Sequence, residues 1–101
     1  MTRSDILGSA DTCINRDRAA TYGSAEIGFQ AIALVWAGLD LARGSRPRGA
    51  VDVALCLAAM KLVRASANPG HADSWIDGCG YLALGGEIAT EGFDIIEREA
   101  P

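Results

Sequence analysis

The sequence predicts an all-α protein of four main helices packed in a compact, oligomeric bundle. Three observations carry that expectation. Apolar residues recur at three- and four-residue spacing through most of the 101 positions. No stretch alternates apolar and polar residues with β-branched side chains, and aromatic residues are only 6% of the chain, so strand signals are nearly absent. Glycine and proline fall between the periodic stretches and divide them.

The first helix is expected from about Ser4 to about Asn15, with Ser4 as its cap and Ile6, Leu7, Ala10 and Ile14 at helical spacing. The polar run Asn15 to Tyr22, closed by Gly23, reads as an ordered connection. Ser24 caps a second helix, with Glu26 in its first turn, running to about Ala42. Arg43 to Gly49 has the composition of a loop. A third helix covers about Val51 to Ala67 and is stopped by Asn68-Pro69-Gly70. The fourth starts near His71 or Ala72 and continues to about Thr90. Residues 1–101 read as a single all-helical domain, with 91–101 a helical or frayed tail.

Composition narrows the function. The chain has 9 Lys+Arg against 13 Asp+Glu, a net charge of −4, and half of it is apolar. An acidic balance excludes broad, non-specific binding to a nucleic-acid backbone. The N-terminus leads into no apolar run, so no signal peptide is expected. The apolar stretch Ala25–Ala42 is interrupted by Glu26, Gln30 and Asp40, which argues against a membrane partner. Cys13, Cys56 and Cys79 are odd in number and far apart, and read as small buried side chains in a cytoplasmic protein.

The helix faces suggest partners. The third helix is apolar nearly all round from Val51 to Val63, which a chain this short has little interior to hide. A homo-oligomer follows, with the second and third helices in its interface. On the third helix Lys61 and Arg64 lie three apart on one side. They either converge on a phosphate or carboxylate, or carry their charge to water along buried stems.

On the fourth helix, Trp75, Ile76, Cys79, Leu82, Ala83, Gly86 and Ala89 share the side expected to pack inward. Asp73 and Asp77 share the other, with Tyr81 at its flank. Two carboxylates one turn apart are either a half-site for Mg²⁺ or a solvated acidic face. Gly80, Gly85 and Gly86 in mid-helix point to close helix–helix approach. His71 beside Asp73 is too little for a zinc site by itself. No phosphate-binding glycine loop and no nucleophilic triad can be traced.

Three blocks carry a resemblance: Asp17-Arg18 and Tyr22-Gly23 followed by Phe29 and Trp36; Asp52-Val53-Ala54 with Lys61 and Arg64; and Asn68-Pro69, His71, Asp73-Ser74-Trp75, Asp77 and Gly80-Tyr81. Together, over roughly Ile6 to Ala89, they resemble a family of small phage and prophage proteins of unknown function. More distantly, the layout is similar to MazG-like all-α nucleoside triphosphate pyrophosphohydrolases. That resemblance implies an oligomer and Mg²⁺ held by acids from two helices. It aligns Asp77 with the last acid of an E-x-x-D motif and Tyr81 with the tyrosine four residues on, while position 74 is Ser rather than Glu. The first E-x-x-E of those enzymes is broken, because Glu26 is followed by Phe29 and Gln30.

The expected function is therefore that of a phage-type helical protein that binds nucleotides, with Mg²⁺-dependent phosphohydrolase activity as its catalytic form. Asp73 and Asp77 would hold the metal, Lys61 and Arg64 the phosphate, and Tyr22, Tyr81 or Trp75 would wall the base. Arg18, Asp52 and His71 are further candidates, and no residue is assigned a catalytic role. The alternative is a counter-defence protein of the anti-CRISPR type. It would cover a host defence protein without catalysis, through Glu87, Glu91, Asp94, Glu97 and Glu99, in the host-cell cytoplasm.

Overall fold

A computed structural model describes residues 1–92, and these form helices with no strand among them. In chain order they are α1 (Arg3–Thr12), a π-helical turn (Cys13–Asp17), α2 (Arg18–Tyr22), α3 (Ala25–Arg43), α4 (Ala50–Ala67) and α5 (Ala72–Glu91). The all-α class is as expected. Asp94, Glu97 and Glu99, with most of the expected tail, lie outside the described residues.

The N-terminal segment differs from the sequence expectation in two ways. Thr2, not Ser4, caps α1. Its Oγ1 accepts from the Asp5 amide at 3.1 Å, and the Asp5 carboxylate takes the Thr2 amide at 2.8 Å. The expected connection Asn15–Tyr22 is helical. No glycine or proline interrupts Ser9 to Tyr22, and the extra residue is absorbed as one π turn. Asn15 reaches back to Asp11 at 2.8 Å, and the Thr21 hydroxyl donates to the Asp17 carbonyl at 2.9 Å. The helix stops at Gly23, whose φ of 80° a residue with a Cβ rarely adopts.

Ser24 caps α3 as expected, accepting from the Ile27 amide at 3.4 Å. Trp36 ties α3 to α4 by donating its indole N–H to the Cys56 carbonyl at 3.0 Å. None of the α3 residues is buried, and by length and composition α3 is apolar enough to cross a membrane.

The loop from α3 to α4 is held by carboxylates. Asp40 accepts from Arg43 at 2.6 Å and from Arg48 at 2.7 Å. Asp52, buried in the first turn of α4, takes Arg46 in a two-pronged contact of 2.6 and 3.1 Å and the Gly49 amide at 2.7 Å. Arg43, Arg46 and Arg48 are thus all paired. The Arg46 guanidinium and then the Gly49 amide hold the Asp52 carboxyl below its ordinary value of 3.8.

The centre of the fold is the antiparallel pair α4–α5, turned by Asn68 to His71. Apart from Asp52, its buried residues are small: Ala54, Ala58, Ala59 and Ala65 on α4, Ser74 and Gly85 on α5. A Cβ on Gly85 would come within 2.9 Å of the Ala54 Cβ, and one on Gly78 within 3.5 Å of the Lys61 Cβ. The expectation of close approach thus holds for Gly85, whereas Gly80 and Gly86 face open space.

Small residues also correct the expected inward side of α5. The helix presents Ser74, Gly78, Tyr81, Gly85 and Ile88 to the interior or its margin. Trp75, Ile76 and Leu82 are exposed at 56%, 66% and 55%, and Cys79 is exposed too. Bulk counted toward the wrong face, because helices this close accept only short side chains between them. The third predicted helix, α4, is the least exposed, as expected, although Val53 and Leu62 point outward.

The seam makes three residues separable by thermal melts. Gly85→Ala should lower stability by about 1–3 kcal/mol, since overpacking against the Ala54 Cβ outweighs the helix-propensity gain. Gly80→Ala, with nothing in its way, should raise it by about 0.5–1 kcal/mol. The Ser74 hydroxyl is buried with no hydrogen-bond partner among the described residues. Ser74→Ala should leave the melting midpoint unchanged or raise it, and a clear loss would mean the hydroxyl is bonded.

The Asp52 clamp sets an acid limit. Because its folded pKa is depressed, its stabilisation is complete well above pH 3.8 and is lost as pH falls through the lower, folded value. The melting midpoint should be flat from pH 7 to about 5 and fall below about pH 4. Asp52→Asn should lower the midpoint at pH 7 and flatten that acid fall; an unchanged profile would show that the clamp does not matter.

Candidate functional site

The N-terminal helical segment is fastened to the α4–α5 turn by one side chain. Asn68, at the end of α4, donates its amide to the carbonyl of Thr21 at 2.9 Å. That carbonyl lies in the last turn of α2 and lacks an intrahelical partner of its own. The bond places the next residue, Tyr22, against α4 and the turn. The Arg64 guanidinium lies 4.8 Å from the centre of the Tyr22 ring, a cation–π contact. His71 meets the same ring edge-on, with centroids 5.7 Å apart and planes at 83°.

Beside this group is a cavity of about 400 Å³. Ile14 from the π turn and Arg18 and Tyr22 from α2 form one wall. Gly28, Phe29 and Ile32 of α3 form a second, and Val63, Arg64 and Ala67 of α4 a third. The π turn borders the cavity directly, a place where such turns often occur. The walls are largely apolar, with two guanidinium groups and one phenol among them. Among the described residues neither Arg18 nor Arg64 has a carboxylate within ion-pair distance.

The expected metal and phosphate residues divide between two places. Lys61 and Arg64 diverge: Arg64 lies over Tyr22, while the Lys61 ammonium reaches Asp77 on α5 at 3.0 Å. The Lys61 side chain is 12% exposed and that of Asp77 48%. Asp73 points mostly to solvent, and its carboxylate is 3.9 Å from His71 Nε2. Tyr81 is half-buried on α5. Asp73, Asp77, Lys61 and Tyr81 do not line the cavity, and Asp52 is occupied by the loop clamp. Tyr22, Arg64 and Arg18 are brought together; the two aspartates are not brought to them.

The donor set does not fit a Mg²⁺ site built by one chain. Asp77 is engaged by an ammonium, and among the described residues no three His, Cys, Asp or Glu side chains gather around a common point. Glu26, the surviving acid of the broken motif, is bonded to its own cap residue Ser24 at 2.9 Å. Sequence reasoning also passed over Ile14, Gly28, Phe29, Ile32 and Val63 as cavity walls. Their only signal is apolar spacing, which reads the same for core and for cavity.

Comparison with known proteins adds an ancestry without an activity. The chain is 33% identical over 79 residues to the Gene 55 protein of Mycobacterium phage L5, a match covering 78% of this chain. It spans about half of that relative, 49% of its length. No solved structure matches the chain. The family described as Domain of unknown function (DUF6378) matches residues 5–89, which take in the cavity, the Asn68 fastening and the α4–α5 seam. The chain belongs to that family.

Proposed function

We propose that this protein binds a nucleotide in the cavity between α2, α3 and α4. The observation that carries the reading is the pair Arg18 and Arg64, two guanidinium groups with no carboxylate partner among the described residues, beside the Tyr22 ring in an apolar hollow. In a chain of net charge −4, Arg43, Arg46, Arg48 and Lys61 are each neutralised by an aspartate. Arg3 and Arg16 are unpaired too among the described residues, but they stand on exposed surface, whereas two unpaired guanidinium groups at a concave place attract an anion. A guanidinium presents paired donors to a phosphate, and the aromatic and aliphatic walls suit a flat base. A volume of about 400 Å³ falls in the range of small-molecule sites.

Mg²⁺ enters this reading only as the cation that accompanies a nucleoside triphosphate. MazG-like hydrolysis would further require acids from a second helix beside Asp73 and Asp77. A second reading, a counter-defence protein that covers a basic surface, draws on Glu87 and Glu91, both exposed on α5, and on the phage relative.

Calorimetric titration with AMP, ATP and inorganic phosphate, each with and without Mg²⁺, tests the proposal. AMP and ATP should bind, and Arg64→Ala and Tyr22→Ala should each weaken them at least about tenfold, the equivalent of about 1.4 kcal/mol. Asp77→Asn should leave the affinity unchanged, because Asp77 lies outside the cavity. No binding at millimolar nucleotide would overturn the reading. A loss of Mg²⁺-dependent turnover in Asp77→Asn would instead favour the hydrolase form.

A further inference from the structure

We infer that α3 pairs antiparallel with α3 of a second copy of this chain, along Ile27, Leu34 and Leu41. These three residues are exposed at 71%, 71% and 84%. They are spaced by seven, so they drift only about 20° per step around the helix and form one stripe along its length. Gln30, Ala37 and Gly38 lie beside them on the same side. The opposite side of α3 is already used: Ile32, Val35 and Leu39 are partly covered, and Trp36 is bonded to the Cys56 carbonyl. α3 is therefore apolar on two faces, and its own chain covers one.

Area argues for a partner of substantial size. The chain exposes 7562 Å², whereas a compact protein of 10.5 kDa exposes about 5,400 Å². That excess is spread over the whole chain, and the outer face of α3 contributes part of it. A stable interface covers about 800 Å² on each partner.

The stripe is also complementary to itself. Leu34 lies midway between Ile27 and Leu41. A twofold axis through Leu34 therefore sets Leu34 on its own copy, Ile27 on Leu41, and Gln30 on Gly38, where the missing side chain leaves room for the amide. That is a closed, isologous contact of heptad type. Antiparallel helices also oppose their dipoles favourably. A lipid bilayer is a poorer occupant. Gln30 interrupts the stripe, Glu26, Asp40 and Arg43 stand in the same helix, and α4 holds the other face.

Light scattering on the full chain at tens of micromolar should give twice the 10.5 kDa chain mass. Leu34→Glu, which sets two like charges against each other at the axis, should give a monomer of unchanged helicity. Disulfide trapping checks the register even if that variant fails to fold. With Cys13, Cys56 and Cys79 replaced by Ala, Leu34→Cys should form a covalent dimer on oxidation. The pair Ile27→Cys with Leu41→Cys should do so as well, and Ile27→Cys alone should not. A monomeric parent chain, self-linking by Ile27→Cys alone, or flotation of the parent with phosphatidylcholine vesicles as a monomer would overturn the inference.

Discussion

The contact between Ala54 and Gly85 fixes how far apart α4 and α5 stand, and most of the molecule follows from that spacing. Helices held this close have room between them only for Ala, Ser and Gly, so the buried residues are short. Of the large apolar side chains of both helices, Val53, Leu62, Trp75, Ile76, Leu82 and Leu84 are turned outward, and Leu55, Leu57, Met60, Val63 and Ile88 are half-buried. A fold centred on alanines gains little from burial per residue. Its remaining apolar surface must be covered by something other than its own seam, or be used.

Charge is partitioned as sharply as bulk. Asp40 and Asp52 gather the three loop arginines, and Asp77 takes Lys61 on the flank of the seam. These pairs differ in kind. Asp52 is buried and closes a loop as well as a helix start, whereas Asp77 is half exposed and its pair is correspondingly weak. Among the described residues Arg3, Arg16, Arg18 and Arg64 remain outside this accounting, and of these Arg18 and Arg64 line a cavity that also has an aromatic wall.

Much of the fold was legible in the sequence because helix limits are local. Ser24, Gly44 and Asn68 mark ends that depend only on nearby residues. The π turn was not legible: Asn15, Arg16 and Asp17 are polar enough for a loop, and only the lack of a breaker tells otherwise. The inward face of α5 was misread for a different reason. Periodicity weighs hydrophobicity, and the seam selects for size, so Ser74 and Gly85 outranked Trp75 and Leu82. For the site, Tyr22, Arg18 and Arg64 were recognisable as residue types. Their meeting depends on Asn68 reaching the Thr21 carbonyl across 47 positions of chain, which no spacing rule encodes.

That same asparagine has an unusual chemical lifetime. An asparagine normally ages when the amide nitrogen of the following residue attacks its side chain and closes a succinimide ring. Here the following residue is Pro69, which has no N–H to attack with. The group that fastens the N-terminal segment to the α4–α5 turn is thereby shielded by its neighbour from the succinimide route to deamidation.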